Sequence, residues 1–142
     1  MGALDGKVAI VTGAGRGLGR AHSLTMAAEG ATVVVNDLGD EAEAVVAEIE
    51  AGGGQAVANH ASVSDWEATE ALVADTVERF GDLHIVVNNA GILRDKMSFN
   101  MDESDWDSVV DVHLKGHFCV SRHAGVYWRN QAKAGATVGR RI

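Results

Sequence analysis

Proline is absent from this 142-residue chain, where ordinary usage would supply about seven. No proline-marked linker divides the sequence, and no repeat or block of like charge does so either. Cysteine is nearly absent. Cys119 stands alone, so a disulfide framework is excluded and a reduced, cytoplasmic setting is the expectation. Long apolar runs are missing as well. None approaches the roughly 18 residues that cross a bilayer, so no membrane partner is expected. Met1 to Gly6 has neither a basic nor an apolar signal region, and Gly6 sits where a myristoylation site wants Ser or Thr. Positive charge is in deficit, with 12 Lys and Arg against 20 Asp and Glu, a net charge of −8. That balance argues against a nucleic-acid partner, which would need a clustered basic face.

What is present describes a globular domain. Apolar residues are 46% and charged residues 23% of the chain, close to the usual proportions, and wholesale disorder is excluded. The length suits one domain. Glycine is in excess, at 17 against about ten expected. It gathers at Gly13 to Gly19 and Gly52 to Gly54.

Apolar periodicity gives the element order. Lys7 to Val11 reads as a buried strand and Arg20 to Glu29 as a helix stopped by Gly30. Thr32 to Asn36 is a second strand. Ala42, Val45, Val46 and Ile49 form the stripe of a second helix over Asp40 to Ala51. Gln55 to Asn59 is a third strand. Ser64-Asp65-Trp66-Glu67 fits a capping box for a third helix, with Trp66, Val73, Val77 and Phe80 on one face. His84 to Asn88 is a fourth strand and Leu93 to Met101 a loop. Capping side chains lie between Asp102 and Ser104. One long helix is expected from about Trp106 toward Arg129, with Trp106, Val109, Val110, His113, Leu114 and His117 inward. Strands with little alternation, separated by helices, imply an α/β, doubly wound parallel sheet covered on both faces. The expected spatial order is third, second, first, fourth strand, and a ligand belongs where the order reverses.

Three groups of residues carry chemistry. Thr12-Gly13-Ala14-Gly15-Arg16-Gly17-Leu18-Gly19 joins the first strand to its helix. Missing side chains let the backbone approach a pyrophosphate, and the helix start offers free N–H groups. A Walker A reading fails because Arg20 and Ala21 follow Gly19. The strict G-x-G-x-x-G pattern fails at Leu18; T-G-x-x-x-G-x-G fits. Asp37 directly follows the second strand, where a carboxylate can take both hydroxyls of an adenosine ribose and repel a 2′-phosphate, favouring NAD over NADP. Arg16 pulls the other way, since it could hold that phosphate. Asn88-Asn89-Ala90-Gly91 closes the fourth strand; alone it is a turn, but beside the other two groups it lines the same crevice.

Thr12-Gly13-x-x-x-Gly17-Leu18-Gly19 with Asn88-Asn89-Ala90-Gly91 resembles the short-chain dehydrogenase/reductase superfamily. Val35 to Gly39, Asn89 to Lys96, Asp105-Trp106 and Val112 to Gly116 resemble its 3-hydroxyacyl-CoA dehydrogenases, the unit of peroxisomal multifunctional enzymes and their bacterial relatives. The resemblance covers nearly the whole chain. It implies a Rossmann-like fold and hydride transfer between NAD and a secondary alcohol or ketone, with a 3-hydroxyacyl thioester as the candidate small-molecule substrate. It also implies a homo-oligomer, dimer or tetramer. By resemblance, Gly13, Arg16, Gly17, Leu18 and Gly19 wrap the pyrophosphate and ribose, and Asp37 takes the ribose hydroxyls. Ser62 and Val63 border the adenine, and Asn89, Ala90 and Gly91 border the ribose and nicotinamide.

Three departures stand out. Ser62 replaces the family's usual Asp. His113 replaces an Asn of the proton relay and is the one catalytic candidate. The family's Ser and Tyr-x-x-x-Lys are missing: Tyr127 is followed at that spacing by Gln131. The expectation is that residues 1–142 form the dinucleotide-binding, N-terminal portion of a single-domain enzyme of about 250 residues or more. The sheet would then stop after the fourth strand and its helix, leaving a bare edge prone to self-association. A non-catalytic NAD-binding module and a flavodoxin-like FMN binder are the alternatives. A metal site is not expected: His113 and His117 are spaced i, i+4, but no third ligand accompanies them. Cys119 reads as a buried apolar residue.

Overall fold

The structure is a computed structural model that describes residues 2–139 and 141–142. Four strands, β1 (Val8–Thr12), β2 (Thr32–Asn36), β3 (Gln55–Asn59) and β4 (Ile85–Val87), form one parallel sheet in the order β3-β2-β1-β4. This is the Rossmann-like α/β arrangement the sequence implies. Between the strands run α1 (Gly17–Ala28), α2 (Glu41–Ala51) and α3 (Trp66–Phe80). After β4 come α4 (Glu103–Val110), a π turn over Asp111–Lys115, and α5 (Gly116–Lys133).

Alternation along the central strands builds two cores. Val11, Val33 and Val35 face α1 and α2 and pack with Ala42, Val45 and Ile49. Ile10 and Val34 face the opposite side and pack with Leu72 and Val73 of α3 and Ala124 of α5. Because both faces are covered, β1 is buried along its whole length, as its uninterrupted apolar run requires.

Helix ends correct two expectations. Asp65, not Ser64, caps α3, its carboxylate accepting from the Ala68 N–H at 2.8 Å. Ser64 instead turns its hydroxyl toward that of Ser62. Asp102 caps α4 in a reciprocal box with Asp105, so the helix begins three residues before Trp106.

The single long helix is interrupted by the π turn. A π turn holds an extra residue, which rotates the following face by roughly 100°. The buried stripe of α5 is accordingly Gly116, Cys119, Val120, His123 and Ala124. Trp106 and Leu114, expected inward, are 65% and 70% exposed.

The β4 edge is not bare. Ile142 lies beside it, accepting from the Val86 N–H at 2.8 Å and donating to the His84 carbonyl at 3.1 Å. Among the described residues, no helix is long and apolar enough to cross a membrane.

Candidate functional site

A cleft of about 400 Å³ opens at the carboxyl ends of the strands, over the reversal between β1 and β4. Segments following all four strands line it. The sequence candidates in its wall are Gly13, Arg16, Asp37, Ser62, Val63, Asn89, Ala90 and Gly91.

The turn after β1 is shaped by close packing. Gly13 has φ +60°, and a Cβ there would lie 2.8 Å from the Ala90 Cα. Only glycine combines that dihedral with that approach. Gly19 sits against the carbonyl of Gly13, where a Cβ would reach 2.1 Å, so α1 starts flush with the turn. Arg16 precedes α1 in extended conformation and supplies no side-chain cap, and the first turn carries no acidic residue. The opening N–H groups of α1 thus keep their capacity for an anion. Gly17 and Leu18 lie in that first turn, outside the cleft wall, with Leu18 73% exposed.

Thr12 and Asn89 weld β1 to β4. The Thr12 hydroxyl oxygen accepts from the N–H groups of Asn89 and Ala90, both at 3.0 Å, and donates to the Val87 carbonyl. The Asn89 amide donates to the carbonyls of Thr12 and Gly13, both at 3.0 Å. Asn88 points elsewhere, its amide donating to the Ser121 hydroxyl.

Asp37 leaves β2 with its backbone N–H donating to the Asn59 carbonyl. Its carboxylate accepts from the Gly15 N–H at 2.9 Å. One oxygen is therefore anchored to the glycine turn, and the carboxylate borders the cleft as an acceptor. Its backbone carbonyl meets His60 Nδ1 at 2.9 Å, and His60 Nε2 meets the Glu43 carboxylate at 2.6 Å. Hydrogen bonds to the Glu43 carboxylate and to the Asp37 carbonyl push the His60 pKa up, and the bond from His60 holds Glu43 below the usual carboxylate range.

His113 does not line the cleft; its neighbour Val112 does. Its ring packs against Gly91, where a Cβ would lie 2.7 Å from Cε1. Its Nε2 lies 3.1 Å from the Ile92 nitrogen and 2.9 Å from the Ile92 oxygen. Among the described residues no cluster of three metal-ligating side chains occurs.

Sequence reasoning did not single out Asn36, Ala61 or the His60–Glu43 pair. Buried Asn36 donates to Asn59 Oδ1 and to the Ala61 carbonyl, both at 2.9 Å, fixing the third wall of the cleft. Its signal was a polar residue ending an otherwise apolar strand.

A family profile described as short chain dehydrogenase matches residues 7–138. The chain is 49% identical over 148 aligned positions to the hydroxyacyl-CoA dehydrogenase ChsB1 of Mycobacterium tuberculosis, covering 98% of this chain and 46% of that protein. It is 48% identical to peroxisomal multifunctional enzyme type 2 of Mus musculus, over 89% of this chain and 18% of that enzyme. A crystal structure of a short chain dehydrogenase from Mycobacterium avium superposes with a TM-score of 0.96 at 52% identity, covering 99% of this chain and 53% of that one. The chain thus spans about half the length of ChsB1 and of the M. avium enzyme.

Proposed function

Because the chain belongs to the short chain dehydrogenase family, we propose that its cleft binds NAD and serves hydride transfer between the nicotinamide and a secondary alcohol or ketone. The observation that carries this reading is the Asp37 carboxylate, anchored on the Gly15 N–H at the rim of a cleft. A ribose diol needs two acceptor positions, and a carboxylate offers them.

The residues present fit the coenzyme. The uncapped start of α1, from Arg16 through Gly17, Leu18 and Gly19, would face the pyrophosphate, with Gly13 letting the turn pack against Ala90 at the cleft wall. Ser62 and Val63 would border the adenine, and Asn89, Ala90 and Gly91 the nicotinamide ribose. The Asp37 charge would oppose a 2′-phosphate, which favours NAD over NADP despite Arg16. Bound nicotinamide would supply the hydride-accepting ring. His113 would hold the Gly91–Ile92 backbone in place.

The similarity to ChsB1 and to the multifunctional enzyme favours a 3-hydroxyacyl thioester as substrate. Within these residues the one tyrosine, Tyr127, is committed to Asp82 at 2.9 Å. What the described residues contribute is therefore coenzyme binding; the acid–base step calls for further groups. Exposed Trp106 on α4, Leu114 in the π turn and Phe118 on α5 support association with a second copy.

Crystals grown with NAD test the reading. The diphosphate is expected at the bend between β1 and α1. Coenzyme lodged elsewhere, with that bend empty, would refute it.

A further inference from the structure

His60 lies between two acceptors. On one side is the Asp37 backbone carbonyl, 2.9 Å from Nδ1; on the other is the Glu43 carboxylate, 2.6 Å from Nε2. Neither a carbonyl nor a carboxylate can donate, so filling both contacts requires a proton on each ring nitrogen. Only the imidazolium meets that requirement. The bridge joins three elements: His60 follows β3, Glu43 belongs to the first turn of α2, and Asp37 follows β2.

We propose that His60, clamped by Glu43, is a positioning residue that fixes the Asp37 backbone for the coenzyme ribose and makes coenzyme affinity depend on pH. This rests on the NAD reading of the cleft. The Asp37 carboxylate accepts from the Gly15 N–H at 2.9 Å and from the Gly39 N–H at 3.4 Å, so the backbone that carries it sets where the carboxylate stands. The backbone has a second tether, the Asp37 N–H to the Asn59 carbonyl, so releasing His60 loosens the loop without unfolding it.

The charges facing His60 act in one direction. The hydrogen bonds to Glu43 and to the Asp37 carbonyl favour the imidazolium most, desolvation opposes it, and the charges of Glu43 on α2 and Asp40 just before α2 add to the favourable side. Asp37 contributes its carbonyl. The folded-state pKa of His60 is therefore above its unfolded value. The clamp is complete below the ordinary histidine range and is lost as pH rises through the raised pKa. The pair is exposed, so its contribution to global stability is small. Its effect concentrates on the loop that carries Asp37.

The test is NAD titration of the intact chain between about pH 5.5 and pH 9, with the His60 ring proton followed by NMR over the same range. Wild type is expected to lose about threefold to tenfold in affinity as His60 deprotonates, the value of one hydrogen bond. His60→Ala should bind at the weaker level throughout, with no inflection. Glu43→Gln keeps the shape and an acceptor but removes the charge, so both the NMR titration and the affinity inflection should move together to lower pH. A wild-type affinity that is flat across the His60 titration, or an inflection that survives in His60→Ala, overturns the inference and leaves the NAD reading standing. No NAD binding at any pH overturns both.

Discussion

Gly13 and Ala90 approach so closely that a side chain on the glycine would sit 2.8 Å from the alanine Cα. The contact joins the end of the first strand to the end of the fourth, across the reversal in strand order. Both residues line the cleft at the strand ends, and the positive φ of Gly13 adds a second reason for glycine.

Gly13→Ala should therefore displace the turn from the 89–91 segment. The expected loss is about 1–3 kcal/mol of stability from backbone strain, with NAD affinity reduced more than tenfold. Urea unfolding and calorimetry measure the two separately.

Thr12 supplies one hydroxyl to two backbone N–H groups and is almost wholly buried. Thr12→Val keeps the volume and leaves both donors unmet, an expected loss of about 2–4 kcal/mol. Thr12→Ser restores the oxygen and should recover most of it. Chemical denaturation of the two variants checks the order.

Asp82 gathers the loop before β4. Its carboxylate accepts from the Leu83 N–H, the Tyr127 hydroxyl and the Arg141 guanidinium, near His84. Burial opposes its ionisation, but these hydrogen bonds outweigh burial and hold its pKa below the usual value. A carboxylate depressed in the folded state stabilises above its unfolded pKa and ceases to do so as pH falls through the folded one. Tyr127→Phe should lower stability by about 1 kcal/mol at neutral pH and raise the midpoint of acid unfolding. Circular dichroism during acid titration reads that shift.

Lys96 ties the segment after β4 to α4 through the Asp105 carboxylate at 2.5 Å, and that carboxylate is 7% exposed. Hydrogen bonding to Asp105 raises the Lys96 pKa. Lys96→Met leaves the Asp102 N–H as the remaining donor to the Asp105 carboxylate and should lower the unfolding temperature. Faster hydrogen exchange across residues 92–101 would accompany it.

The strands were legible because buried parallel strands need unbroken apolar runs, and Ala9 to Val11 and Val33 to Val35 are such runs. Their order followed from handedness. The π turn was not legible, since a change from i+4 to i+5 bonding leaves no mark on residue type; the periodicity that puts Leu114 inward fails there for that reason. The choice of Asp65 over Ser64 as cap was hidden because both residues can accept. In the cleft, Gly13, Asp37 and Asn89 announce themselves by position after a strand. Asn36 and the His60–Glu43 pair do not, because their meaning depends on the register that sets Asn36 beside Asn59.

Calorimetric titration of wild type and Asp37→Ala with NAD and NADP tests coenzyme binding at this cleft most directly. Wild type is expected to take up one NAD and to bind NADP more weakly. Asp37→Ala should weaken NAD by about tenfold or more and narrow the gap to NADP. Undetectable NAD binding, or NAD binding unchanged by Asp37→Ala, would contradict it.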